Sequence, residues 1–170
     1  MEFVKARPDQ FSEIVRIFEH VKEGLREQGI DQWTEDYPDR EILQKDIGNG
    51  NMYLLVSEGE IAAIAALDQN QEPQYEDIPW KDKTGNFLVV HRLCVNPDYQ
   101  GKGISRLFMD EIERFAKDQG YSSIRLDTQM VNEKAMNLYE SHDYEKRGTF
   151  YFPHASKPFM AFEKKLVPKS

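Results

Sequence analysis

The sequence predicts a single mixed α/β domain, residues 1–170, whose sheet is mostly antiparallel with one parallel pair of strands, flanked by helices. Three observations predict it. The 170 residues suit one core, since single cores usually span about 100 to 200 residues. Strand-like and helix-like periods alternate along the chain, with no internal repeat or low-complexity tract. The run of strand, loop, helix and strand from Phe87 to Thr128 has the length of a crossover unit, which makes its two strands parallel neighbours.

The elements follow in chain order. Glu2 to Arg7 alternates as a short strand that Pro8 stops. Asp9 is the expected N-cap of a helix on which Phe11, Ile14, Val15, Phe18, Val21 and Leu25 recur at three- and four-residue steps, with Gly29 as its stop. Ile30 to Asp39, with Trp33, Tyr37 and Pro38, is an excursion before a short helix carrying Ile42, Leu43 and Ile47 and ending at Gly48, Asn49 and Gly50. Met52 to Val56 and Glu60 to Leu67 form a hairpin across Ser57, Glu58 and Gly59.

Asp68 to Gly85 turns polar and is expected to be an exposed excursion. Phe87 to Val95 is the most strand-like segment. A glycine loop then leads into a helix on Ile104, Leu107, Phe108, Ile112 and Phe115 that closes at Gly120. Ser122 to Thr128 reads as a strand, Glu133 to Ser141 as a short helix, and Tyr144 to Phe152 with Phe159 to Leu166 as a final strand pair.

Composition excludes several classes of function. With 22 Lys and Arg against 30 Asp and Glu, the net charge of −8 disfavours nucleic acid and anionic lipid as main partners. A single cysteine, Cys94, rules out an internal disulfide framework and a multi-cysteine zinc site. His20, His142 and His154 show no ligand spacing, so no metal is expected. No leader and no membrane-length apolar run are evident, which makes the cytoplasm the expected compartment. A homodimer is one way to cover sheet edges, and the oligomeric state stays open.

The chemistry begins at Gln100, Gly101, Lys102, Gly103, Ile104 and Ser105, which run from a strand end into a helix start. Free backbone N–H groups and the helix dipole favour an anion there, and glycines let the backbone approach it. Two rival phosphate motifs fail. A Walker loop needs Ser or Thr directly after its lysine and a glycine at its start, where this chain has Gly103 and Asn96. A dinucleotide fingerprint needs a third glycine where Arg106 stands.

VHRLCVNPDYQGKGIS, followed by a helix, a strand and NEKAMNLYESHDYEKRG, strongly resembles the GCN5-related N-acetyltransferase (GNAT) superfamily over most of the chain, most specifically from Val90 to Gly148. The resemblance implies that the loop grips the pyrophosphate of acetyl-CoA through the family's pattern, here Gln100, Gly103 and Ser105. Serine at the last position is a small departure. It implies that the strand ending in Leu93, Cys94 and Val95 carries a bulge and splays from its parallel neighbour, leaving main-chain groups for pantetheine and thioester. Asn132 and Ala135 are implied to lie along the pantetheine arm, and Tyr139 beside the sulfur.

Acetyl transfer to an amine needs a base, oxyanion stabilisation and a proton for the leaving thiolate. The Leu93 N–H is the candidate oxyanion donor. His91, two residues earlier and so on the same strand face ahead of any bulge, is the favoured base, since imidazole ordinarily titrates near about 6.5. Asp127 is the reserve base or amine-orienting group. Tyr139 is the candidate acid. Cys94, in an apolar strand without a thiolate-stabilising partner, reads as core. Lys102 and Arg106 either reach phosphate or face water. Asp143 stands where the family usually has glycine, and Asp tolerates the left-handed turn.

The function expected is transfer of an acetyl group from acetyl-CoA to a primary amine by direct attack on the thioester. A small-molecule acceptor, held by Trp33, Tyr75 and Asp127, is the first expectation. Two alternatives stay open: a non-catalytic acyl-CoA-binding sensor, and a peptide or protein N-acetyltransferase. The excursions at Ile30 to Asp39 and Asp68 to Gly85 decide between a closed pocket and an open groove.

Overall fold

The computed structural model describes residues 1–167. Seven strands form one mixed sheet in the order β1-β2-β3-β4-β5-β7-β6, and four α-helices accompany it among the described residues. The chain clusters into two compact units, Met1–Leu67 with His91–Phe108, and Asp68–Val90 with Met109 onward.

In the first unit, β1 (Glu2–Lys5) pairs antiparallel with β2 (Met52–Ser57), and β2 with β3 (Glu60–Asp68). Glu58 and Gly59, both at positive φ, form the two-residue turn whose twist matches the flanking strands. Helix α1 (Phe11–Glu27) buries Ile14, Val15, Ile17 and Phe18. Asp9 is not its cap. Pro8–Gln10 forms a short 3-10 turn instead, and Asp9 pairs with Arg7 at 3.0 Å, because proline's fixed φ starts the turn one step early. The cap that sequence reading passed over is Asp39, whose carboxylate accepts from the Ile42 N–H at 2.9 Å and opens α2 (Arg40–Gly48). The core of this unit joins Ile14, Ile17, Phe18, Leu43, Leu54, Ile61, Ile64 and Cys94.

β4 (Phe87–Val95) begins in the second unit and ends in the first. Its parallel ladder with β5 (Ser123–Gln129) runs from Phe87↔Ser123 to Val89↔Arg125. After α3 (Ile104–Asp118) and β5, the second unit continues with α4 (Glu133–Ser141), β6 (Glu145–Phe150) and β7 (Phe159–Lys165), β7 pairing antiparallel with both β5 and β6. Helix α4 ends as its sequence allows. Asp143 takes φ +66, with its own N–H on Glu140 O and that of Tyr144 on Tyr139 O, a left-handed cap made without glycine.

The segment from Asp68 to Gly85 is exposed at most of its positions, as its composition suggests, but it is anchored by residues that the composition does not single out. Tyr75, Ile78, Trp80 and Asp82 are all buried. Hydrogen bonds to Asp82 and from Arg125 offset much of the cost of this burial, while Arg125 Nε and Gln74 Oε1 are buried without a hydrogen-bond partner among the described residues. The Asp82 carboxylate accepts from Ser122 Oγ at 2.6 Å, Ser123 Oγ at 2.6 Å and Thr84 Oγ1 at 2.7 Å. The Arg125 guanidinium lies 3.8 Å from the Phe87 ring centroid and 4.5 Å from that of Trp80, and donates to Asp82 O and Gln71 Oε1. Tyr75, Ile78 and Trp80 join Val89, Phe150, Phe159 and Ala161 in a hydrophobic core of this unit.

Candidate active site

The first unit carries the glycine loop. Upstream it is pinned by Asn96, 6% exposed, whose side chain donates to Ile61 O at 2.8 Å and accepts from the Asp98 N–H at 3.1 Å. Its own N–H donates to Ala62 O at 2.8 Å. The chain then turns through Pro97–Tyr99, where the Tyr99 hydroxyl donates to Glu60 at 2.7 Å, a bond that pushes this phenol up to about 12. Gly101 at φ +77 and Gly103 at φ +73 both stand in the left-handed region, and nothing lies within 4 Å of where their Cβ atoms would be. Conformation, not space, is what selects glycine at these two positions.

Gln100, Gly101, Lys102 and Gly103 are exposed, Ser105 is half-buried, and Ile104 is buried as the first residue of α3. Lys102 Nζ sits 5.4 Å from the Tyr99 ring centroid, so its charge hangs beside the loop. Amides of a first helical turn have no intrahelical acceptor, and in general successive N–H groups in such turns can converge on an anion.

Just before the loop, β4 breaks its alternation. His91, Arg92 and Leu93 are all half-buried, and Arg92 stands at φ +51. A left-handed residue inside a strand is the mark of a bulge, and it re-aims the peptide groups beside it. Sequence reading placed His91 and Leu93 on one face ahead of any bulge; the kink falls between them. It missed the partners of Arg92 altogether. The guanidinium grips Asp46 with two bonds, Nε to Oδ2 at 2.7 Å and Nη2 to Oδ1 at 2.8 Å, and donates a third to the Tyr37 hydroxyl at 3.2 Å. Both ion-pair side chains are 10% exposed. Burial works against the guanidinium charge, but the bond and charge of Asp46 outweigh it and hold the group above its ordinary range. The signals were present: a lone arginine in an apolar strand, and an aspartate at a core-facing position of α2 between Leu43 and Ile47.

Cys94 is buried among apolar residues, and burial pushes its thiol up, which removes the thiolate a covalent route would need. Val95 is half-buried at the strand end. Trp33 packs on Phe18 with ring centroids 5.4 Å apart and lines a cavity of about 830 Å³ with Phe18, Lys22, Arg26, Asp39 and Leu43. That size lies within the usual range for small-molecule sites.

The second unit gathers the remaining candidates. Tyr139 is 5% exposed, with its ring edge-on to Phe162 at 5.5 Å and tilted against Tyr144 at 6.1 Å. Burial first, and the charge of Asp127 second, hold its phenol well above the ordinary value. Asp127, half-buried on β5, accepts a short hydrogen bond from the Tyr75 hydroxyl. Tyr75 is 1% exposed, its carbonyl accepts from the Trp80 indole at 2.9 Å, and burial together with Asp127 pushes its phenol up as well. The fold thus brings Tyr75, Asp127 and Tyr139 into one electrostatic group within this unit. Asn132 caps α4, its side chain accepting from the Ala135 N–H at 3.2 Å, and Ala135 is half-buried on that first turn.

Three comparisons bear on what such a site does. A profile of the Acetyltransferase (GNAT) family matches residues 16–144. Human N-acetyltransferase 8B is 37% identical over 65 residues, 38% of this chain and 29% of that protein. Human N-acetyltransferase 8 is 30% identical over 122 residues, 71% of this chain and 53% of that protein. The chain therefore spans about half or less of the length of these curated relatives. Among solved structures, an acetyltransferase of the GNAT family from Streptococcus agalactiae superposes with a TM-score of 0.87 at 23% identity, over 99% of this chain and 96% of that one. Among the described residues, no helix is long and apolar enough to cross a membrane.

Proposed function

The chain belongs to the GNAT family of acetyltransferases, and on that premise we propose that residues 1–170 act as one domain that moves the acetyl group of acetyl-CoA onto the primary amine of a small molecule. The observation that carries the reading is the loop from Gln100 to Ser105, where Gly101 and Gly103 both adopt left-handed φ directly before α3. Such a loop fits a diphosphate, and the −8 charge of the whole chain leaves it a local feature rather than a general affinity for phosphate.

In this reading Gln100, Gly101, Lys102, Gly103, Ile104 and Ser105 hold the diphosphate. Main-chain groups of Leu93, Cys94 and Val95 follow the pantetheine, as do Asn132 and Ala135 at the start of α4. The Leu93 N–H donates to the thioester oxygen as it gains negative charge, an interaction worth on the order of 3 kcal/mol when it is made only in the transition state. His91 accepts the proton lost by the attacking amine, directly or through water. A C–N bond forms, the C–S bond breaks, and Tyr139 gives its proton to the leaving sulfur. The raised affinity of Tyr139 for its proton keeps the acid form present throughout the neutral range.

Trp33, in the first unit, and Tyr75 and Asp127, in the second, are the residues assigned to the acceptor, Asp127 as the group that orients the amine. Tyr75 acts on the acceptor through Asp127, because its hydroxyl already donates to that carboxylate. The acceptor amine is favoured by the acidic surface, which concentrates cations. The cavity beside Trp33 has a volume suited to a small molecule.

The test is release of free thiol from acetyl-CoA across a panel of small amines and short peptides. Turnover with at least one small amine, well above buffer hydrolysis, is expected. Binding of acetyl-CoA without turnover on any acceptor would make the protein a sensor, and turnover on peptides alone would move the acceptor class.

A further inference from the structure

We propose that Arg92 is a positioning residue for acetyl transfer: its buried pair with Asp46 holds the left-handed kink in β4 that aims the neighbouring Leu93 N–H. The inference rests on the oxyanion role given to that N–H above. Arginine has no intrinsic liking for φ +51, so something must hold it there. The side chain is fixed by three hydrogen bonds to two partners. Nε and Nη2 take both oxygens of Asp46 at 2.7 and 2.8 Å, which allows one orientation of the guanidinium plane, and Nη1 reaches Tyr37 at 3.2 Å. Asp46 sits on α2, just inside the end of that helix, and Tyr37 lies in the segment leading to it, so two points of the first unit anchor one backbone torsion.

A buried ion pair is a poor device for stability alone, since apolar residues of similar volume commonly do as well. Its value here is direction. The peptide between Arg92 and Leu93 takes its tilt from the torsions of Arg92, and a strand without the kink would turn that N–H into the ordinary ladder direction. Lysine cannot replace the fork, because an ammonium is a point charge with no fixed plane.

The experiment compares Arg92→Lys, the double variant Arg92→Met/Asp46→Leu, and Arg92→Gly/Asp46→Leu, reading acetyl-CoA affinity, kcat and the backbone chemical shifts of residues 92 and 93. Arg92→Lys is expected to keep acetyl-CoA affinity within about 3-fold and lose kcat by about 10-fold, a fraction of the loss for a deleted oxyanion donor. The Met/Leu variant is expected to move residue 92 to extended shifts, displace the Leu93 amide resonance and lose kcat by about 30-fold or more. Glycine adopts left-handed φ unaided, so the Gly/Leu variant is expected to recover about 5-fold over Met/Leu. An unchanged Leu93 amide, or parental kcat, in the Met/Leu variant would overturn the proposal; should that variant not fold, equal kcat in Arg92→Lys and the parent would do so. If the parent binds acetyl-CoA yet never turns over, the transfer reading has failed, and the Leu93 amide alone still decides whether Arg92 sets the kink.

Discussion

Tyr139 concentrates the chemistry of the proposal in one hydroxyl. Its ring is walled by Phe162 and Tyr144, and burial with the nearby Asp127 charge raises its affinity for the proton. Tyr139→Phe is expected to cut kcat by about 100-fold, the lower end for a lost general acid, while acetyl-CoA affinity stays within about 2-fold. The sign of the shift adds a second expectation. Because the phenol is held above its ordinary value of about 10, it does not ionise in the neutral range, so parent and variant should show pH–rate profiles of the same shape between about pH 6 and 9, displaced vertically. A limb that vanishes with the hydroxyl would mean that Tyr139 titrates there. At the same scale, His91→Ala should slow amines of high pKa most, and an equal loss across an amine series would remove the base from that position.

At the scale of elements, the glycine loop and the polar segment from Asp68 to Gly85 behave differently. Gly103→Ala meets no neighbour but is forced to hold φ +73, at a cost of about 1 to 2 kcal/mol. Acetyl-CoA affinity should fall by about 10-fold, with kcat at saturation within about 3-fold, as calorimetry and steady-state rates would show. In the segment from Asp68 to Gly85, burial works to raise the Asp82 carboxyl, but the bonds from Ser122, Ser123 and Thr84 prevail and hold it far below the usual carboxylate range. A depressed carboxyl lends stability that is full above its unfolded value near about 3.9 and is lost as pH falls through the folded one. Asp82→Asn should therefore unfold about 2 kcal/mol more easily at pH 7, with the deficit shrinking below about pH 4. A deficit that persists unchanged in acid would assign the effect to packing.

These two elements also show where sequence is legible. The helix of Ile14, Val15 and Phe18, the Glu58–Gly59 hairpin turn and the strand, loop and helix around Gly101 and Gly103 follow from local periodicity and turn chemistry, and the structure has each of them. The burial of Tyr75, Trp80 and Asp82 does not, because it depends on Ser122, Ser123 and Arg125, about forty residues away, and polar residues that satisfy one another look the same in sequence as residues that face water. Asp46 and Arg92 each stand out as a charge in an apolar pattern, but their pairing was hidden for the same reason, since a partner 46 positions away carries no local period. Of the candidate site, the loop, Tyr139 and a bulge near the end of β4 were legible from the motif and the resemblance, whereas the short Tyr75–Asp127 bond and the placing of the kink at Arg92 needed coordinates.

For the molecule as a whole, binding to the native state alone raises stability by mass action. At about 100 times its Kd, acetyl-CoA should add about 2.7 kcal/mol, a rise in Tm of roughly 5 to 10 °C for a chain of this size. Free CoA should do nearly the same, because most of the grip is assigned to the diphosphate rather than to the acetyl group. The central claim is that the loop around Gly101 and Gly103 clasps that diphosphate, and calorimetric titration with acetyl-CoA beside acetyl-pantetheine, which lacks it, tests the claim most directly. Acetyl-CoA is expected to bind with a Kd in the micromolar range and acetyl-pantetheine at least about 100-fold more weakly. Equal affinity for the two, or no heat with acetyl-CoA from the folded protein, would contradict it.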